Sequence, residues 1–247
     1  MSRGLFITGT DTGVGKTVVA AGILRMLKGK GLDAVPVKPV QTGAVLGSDG
    51  LVAPDLQFCL AAADIEPSWD EMKLMAPYVY EPACSPHLAA RMARNYPELP
   101  DIRACTQKLL QKHQAVVMEG AGGIMVPLNE TETMLDLMQA LKYPVVLVSR
   151  LGLGTINHTL LSVQALRNAG IDLIGVVFSR TEPSQQESQF IEDDNPKTIA
   201  QFSNVKVLGN IRYLSDLDAS DDKVWGCFEE DLPGLSSILE VIGTNNG

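Results

Sequence analysis

Nine residues near the start of this 247-residue chain constrain it most: Gly9-Thr10-Asp11-Thr12-Gly13-Val14-Gly15-Lys16-Thr17. The apolar run Leu5-Phe6-Ile7 precedes them. Val18-Val19-Ala20-Ala21-Gly22-Ile23-Leu24 follows, with helical spacing and no proline. Strand, glycine-rich loop ending in Gly-Lys-Thr, then helix is the context of a phosphate-binding loop. Glycines let successive backbone N–H groups turn inward on phosphate oxygens, and the helix N-terminus adds its positive end. Lys16 then reaches the β- and γ-phosphates, and the Thr17 hydroxyl ligates Mg²⁺. The usual motif has four residues between its first glycine and Gly-Lys-Thr, which would put that glycine at Thr10. Here Gly9 takes the role, so the loop is one residue longer.

The remaining apolar runs set the fold class. They are Leu5–Thr8, Ala34–Val37, Ala115–Met118, Val145–Val148, Leu173–Phe178 and Val205–Leu208. Being apolar at nearly every position, they read as strands covered on both faces. Helical patterns fall between them, at Thr17–Lys28, Pro54–Ala63, Pro86–Asn95, Ile102–Gln111, Thr133–Leu141 and Thr155–Asn168. This alternation predicts one doubly wound α/β domain over residues 1–247, with ligands beyond the carboxyl ends of the strands. A hydrophobic share of 45% suits a substantial core. The net charge of −9 gives no electrostatic reason to expect nucleic-acid or anionic-membrane binding, so a bound nucleotide must be held by a few local lysines and Mg²⁺. No apolar run is long enough to span a bilayer. The four cysteines form no metal-type pair, and Met1-Ser2-Arg3-Gly4 leads straight into the first strand, so a reduced, cytoplasmic protein is the expectation.

Residues just past each strand are candidates for the site. Lys38 opens Lys38-Pro39-Val40-Gln41-Thr42-Gly43; it either faces the ligand crevice or is a solvated loop lysine. Asp55 begins a helical stretch and either caps it or serves as a ligand. Glu119 is followed by Gly120-Ala121-Gly122-Gly123, the place for a Mg²⁺-binding acid beside a phosphate loop. Leu151-Gly152-Leu153-Gly154-Thr155-Ile156-Asn157-His158 is a second glycine-bearing loop opening a helix, either an anion site or a tight turn. Leu46–Pro54 reads as loop. Thr181–Pro196 (Glu182, Glu187, Glu192, Asp193, Asp194) reads as a surface excursion, and Asp216, Asp218, Asp221 and Asp222 as a solvated acidic face.

Taken with Ser85-Pro86-His87 and Pro127-Leu128, these blocks resemble the dethiobiotin synthetases over about the first 180 residues. That family shares the Gly-Thr-Asp-Thr loop, which accounts for the long spacing. The resemblance implies a P-loop homodimer of seven-stranded, mainly parallel α/β subunits. It implies a reaction in which 7,8-diaminononanoate, CO₂ (or bicarbonate) and Mg·ATP give dethiobiotin, ADP and phosphate. It carries catalytic roles to Lys38, Lys16 and Thr12. Gly13, Val14, Gly15, Lys16, Thr17, Glu119, Gly120, Ala121, Gly122 and Ser179 become nucleotide-binding residues. Thr17, Asp55 and Glu119 become the Mg²⁺ ligands. Thr12, Lys38 and Thr42 face the substrate, and Gly154, Thr155, Ile156 and Asn157 take its carboxylate, across the dimer interface.

The chain departs from the family pattern at four places. Gly13 stands where an acid is common, and Thr42 where a serine is common. Ser179-Arg180 replaces a base-reading Asn, and Asn210-Ile211-Arg212-Tyr213 lacks an expected Pro. Ser and Arg present other donor patterns than an amide, which leaves the base preference (ATP, CTP or another) open. Two alternatives compete. A related ATP-dependent amidoligase needs a glutamine-hydrolysing domain that this length cannot hold. A partitioning-type switch ATPase usually has a second lysine where Thr10-Asp11-Thr12 stands, and it leaves Lys38 without a role.

Overall fold

The computed structural model describes residues 3–48, 50–183, 189–215 and 217–242. The elements in chain order are β1 (Gly4–Gly9), α1 (Lys16–Gly29), β2 (Ala34–Val37), β3 (Val40–Gln41), β4 (Val45–Gly47), β5 (Gly50–Val52), α2 (Pro54–Ala62), α3 (Trp69–Met75), β6 (Tyr78–Val79), α4 (Pro86–Ala93), α5 (Leu99–Lys112), β7 (Ala115–Glu119), α6 (Met134–Leu141), β8 (Val145–Arg150), α7 (Thr155–Asn168), β9 (Leu173–Ser179), α8 (Gln189–Ser203), β10 (Val207–Ile211), α9 (Asp222–Asp231) and α10 (Leu235–Ile242). The apolar runs become a parallel sheet in the order β10-β9-β8-β1-β7-β2. Successive residues of β1 serve opposite faces, as the strand period requires. Leu5 and Ile7 belong to the core cluster shared by α1, α2, α9 and α10, while Phe6 belongs to the cluster shared by α2 to α8.

The chain passes from β1 outward to β2, returns through β7, then crosses to β8 on the other side of β1. The carboxyl end of β1 is therefore the point where the winding reverses, and an open α/β sheet offers its ligand crevice there. The loops after β1, β2, β7 and β8 all emerge at this edge.

Among the described residues the central sheet has six strands, not seven. After β10 the chain forms helices α9 and α10 instead of a further strand, and Trp225, Phe228, Leu235, Ile238 and Ile242 close the core against Leu208 and Ile211. The segment beyond Pro39 leaves the sheet, and β3 pairs in parallel with β6 on its own. The stretch read as loop at Leu46–Pro54 contains the small hairpin β4–β5. The supposed excursion is helical from Gln189, and its Asn195 and Pro196 are buried, as is Ile199 in the next turn of the same helix. Glu187 and Asp216 lie outside the described residues. No helix among the described residues is long and apolar enough to cross a membrane.

Candidate active site

Strand β1 ends at Gly9, and the loop that follows is shaped by two left-handed glycines, Gly13 (φ +73°) and Gly15 (φ +92°). A Cβ on Gly15 would also collide with Ser179 Oγ, so that position tolerates no side chain. Val14 is buried and anchors the loop to the core. Gly15 is the N-cap of α1 and no side chain caps the helix, so its first N–H groups remain available to an anion. Lys16 is curled back, its Nζ donating to the Asp11 carbonyl at 2.7 Å.

Burial pulls Lys16 down from 10.5 to about 8, against the upward pull of Glu119. Its folded form thus binds fewer protons than its unfolded form between these values, and the cost of burying it lessens as pH rises through that window. Phosphate binding needs the charged form and runs the other way. Calorimetric titration with metal-free ADP is expected to show affinity falling above pH 8, and Lys16→Met to flatten the profile. A flat profile in the wild type contradicts this assignment.

Opposite the loop lies a buried ionic cluster. Lys38, just beyond β2, donates from Nζ to Glu119 Oε1 at 2.7 Å and pairs with Asp55 Oδ2 at 2.6 Å. The Thr17 hydroxyl donates to the same Glu119 oxygen at 2.9 Å. Burial alone would lower the Lys38 pKa, but the carboxylates of Glu119 and Asp55 outweigh it and hold the ammonium above its ordinary range. Glu119 is buried at the end of β7, and among the described residues its Oε2 has no hydrogen-bond partner. A buried carboxylate oxygen left unpaired is costly unless a cation or donor completes it. Among the described residues no group of three His, Cys, Asp or Glu side chains could hold a metal unaided. One hydroxyl and two carboxylates next to a phosphate loop instead suit Mg²⁺, which takes one or two carboxylates and completes its shell with phosphate and water. Thr17, Asp55 and Glu119 fit that donor set.

These groups line one cavity of 760 Å³. Thr12, Gly13, Gly15, Lys16, Thr17, Lys38, Thr42, Asp55, Glu119, Ala121 and Gly122 all contribute to its wall. Gly120 lies just behind, its carbonyl 3.4 Å from Lys38 Nζ. Ser179 lines a separate slot of 150 Å³ on the far side of Gly15, with Arg180, Ile211, Arg212 and Tyr213. Arg212 is held there by Asp231 through both its amide and its guanidinium, and Arg180 by Glu192.

Gly154, Thr155, Ile156 and Asn157 do not reach the cavity. They form the start of α7, where Gly154 is left-handed (φ +89°). The Thr155 hydroxyl turns inward, donating to the Arg150 carbonyl at 2.6 Å and meeting Ser149 Oγ at 2.8 Å, and the Thr155 N–H donates to the Gly152 carbonyl, while Asn157 stays exposed. Gln41 and Cys84 are among the residues of the cavity wall that went unread in the sequence as site residues. For Gln41 the only signal was its place between Lys38 and Thr42.

Residues 3–221 match the family model described as an AAA domain. The chain is 40% identical over 216 residues to the ATP-dependent dethiobiotin synthetase BioD of Anaeromyxobacter sp. (strain K), covering 87% of this chain and 92% of the relative. It is 38% identical over 225 residues to the enzyme of the same name from Halalkalibacterium halodurans, covering 90% of each. The likeness therefore extends well beyond the first 180 residues. The septum site-determining protein MinD of Pyrococcus horikoshii, solved with Mg-ADP, superposes with a TM-score of 0.56 at 15% identity, covering 98% of this chain and 95% of that one. At that identity the likeness speaks for the fold alone. With its sequence aligned over nearly its whole length to these enzymes, the chain belongs to the ATP-dependent dethiobiotin synthetase family.

Proposed function

We propose that this protein is an ATP-dependent dethiobiotin synthetase, which joins CO₂ to 7,8-diaminononanoate and closes the ureido ring at the expense of ATP. The observation that carries the reading is the buried Lys38, held by Glu119 and Asp55 in the same cavity wall as Lys16. A switch ATPase has no use for a second buried ammonium there.

In this reading the phosphate loop, with Gly13, Val14, Gly15 and the N-terminus of α1, holds the triphosphate, and Ser179 borders the base. Glu119, Gly120, Ala121 and Gly122 form the opposite wall. Thr17, Asp55 and Glu119 hold Mg²⁺, which neutralises phosphate charge. One substrate amine takes up CO₂ as a carbamate, a poor electrophile. Its oxygen attacks the γ-phosphorus and ADP leaves, giving a carbamic–phosphoric anhydride. The second amine then attacks the carbonyl carbon, and phosphate departs with the bridging oxygen. Lys16 and Lys38 hold the charge that builds on the transferring group, and Thr12 and Thr42 orient the carbamate. Catalysis is therefore positioning and electrostatics in a site whose dipoles are already fixed.

The substrate carboxylate binds at the start of α7, at Gly154, Thr155, Ile156 and Asn157 of a second subunit, so the working unit is a homodimer. Cytoplasmic residence agrees with Cys59, Cys84, Cys105 and Cys227 all being free thiols. The step through the anhydride is tested with ¹⁸O-bicarbonate in a short reaction. One labelled oxygen is expected in the released phosphate and the other in the ureido carbonyl; unlabelled phosphate beside labelled dethiobiotin excludes the anhydride.

A further inference from the structure

Helix α2 carries Asp55 into the cavity, yet it begins without a cap of its own. Ala53 stands at the N-cap with no side-chain acceptor, and Pro54, the first helical residue, has no N–H. The Asp55 amide is then the first orphan donor of the helix. Gln41 of β3 takes it, its Oε1 accepting from Asp55 N at 3.3 Å. The other end of the same carboxamide donates from Nε2 to the Thr42 carbonyl at 2.8 Å. Gln41 is only 5% exposed, and its backbone carbonyl accepts from Tyr80 N at 2.8 Å, beside the β3–β6 pairing. One buried amide thus ties together two residues of the cavity wall that come from different elements.

We propose that Gln41 is a positioning residue. It supplies from β3 the cap that α2 lacks, and so fixes the Asp55 carboxylate beside Lys38 while holding Thr42 in place. The inference rests on the reading above, in which Asp55 holds Mg²⁺. Leucine at position 41 fills similar space but cannot accept the Asp55 amide. A serine at position 53 can, because Ala53 already has the extended backbone of an N-cap residue (φ −90°, ψ 101°).

The test is calorimetric titration of the full-length protein with Mg·ADP, and with ADP in a chelator. The wild type is compared with Gln41→Leu, Ala53→Ser, the double variant and Asp55→Asn. Gln41→Leu is expected to weaken Mg·ADP about tenfold, as loss of a group orienting a metal ligand does. Binding of metal-free ADP stays within about twofold, and adding Ala53→Ser recovers most of the loss. A Gln41→Leu protein that binds Mg·ADP like the wild type, or that weakens both forms of ADP equally, overturns the proposal. If Gln41→Leu does not fold, Ala53→Ser is compared with the double variant; a gap of about threefold or less supports the proposal, and about tenfold overturns it. Asp55→Asn separates the two kinds of failure. If it leaves Mg·ADP binding unchanged, the magnesium reading of Asp55 is wrong and the proposal falls with it. If it weakens Mg·ADP while Gln41→Leu does not, only the positioning role is wrong.

Discussion

Lys38→Ala is expected to lower kcat by about 10²–10³-fold or more, the usual cost of deleting a preorganised group that meets developing charge. Binding of Mg·ADP stays close to wild type, because Lys16 and the α1 N-terminus remain. The Mg²⁺ concentration needed for half-maximal rate does not rise, since the change unmasks the Glu119 and Asp55 carboxylates. Stability does suffer. Lys38 is buried with two carboxylates on its Nζ, and removing one partner of a buried ion pair costs about 3–5 kcal/mol. Thermal melts without nucleotide should show that loss, and added Mg²⁺ should recover part of it by taking the place of the ammonium. Single-turnover phosphate release separates the chemical step from folding. A kcat within about twofold of wild type would remove Lys38 from the mechanism.

Glu119→Gln has the complementary signature. The amide keeps the shape of the side chain but loses the charge on the two oxygens, one shared by Thr17 and Lys38 and the other unpartnered among the described residues. The half-saturating Mg²⁺ concentration is expected to rise by at least about tenfold, with a smaller effect on kcat at saturating metal. Metal-free nucleotide binding should change little. The pair of variants is informative as a contrast: one loses chemistry and keeps its metal, while the other loses its metal and keeps chemistry. A Mg²⁺ titration of Glu119→Gln that overlays the wild type counts against ligation by Glu119.

Much of this was legible because buried parallel strands leave a plain trace in sequence. Ala34–Val37 matches β2 to the residue, and β1, β7, β8 and β9 extend their apolar runs by only one or two residues. Lys38 and Glu119 were legible as residues ending apolar runs, where a charged side chain needs a reason to be. Asp55 was ambiguous for a physical reason: a carboxylate in the first turn of a helix meets the dipole whether or not it also binds a cation. The fold adds what no local pattern encodes, bringing the Asp55 Oδ2 to 2.6 Å from Lys38 Nζ.

The unread parts share a cause as well. Helix α8 buries only a narrow stripe, so its acidic outer face dominates the sequence and masks its period. Helices α9 and α10 hide similarly behind the acidic cluster before them, although Trp225, Phe228 and Ile238 are core residues. Helix α3 could have been found, since Ser68 and Glu71 form a capping box visible as Ser-x-x-Glu. The inward turn of the Thr155 hydroxyl depends on Ser149 and Thr159 around it, a tertiary hydroxyl cluster that no local pattern encodes.

The most direct measurement is phosphate release from Mg·ATP with 7,8-diaminononanoate and bicarbonate, each component omitted in turn and dethiobiotin quantified alongside. Phosphate and dethiobiotin should form in equal amounts, and only when every component is present. Phosphate released at the same rate without the diamine, with no dethiobiotin formed, would contradict the synthetase reading and make the protein a nucleotide switch.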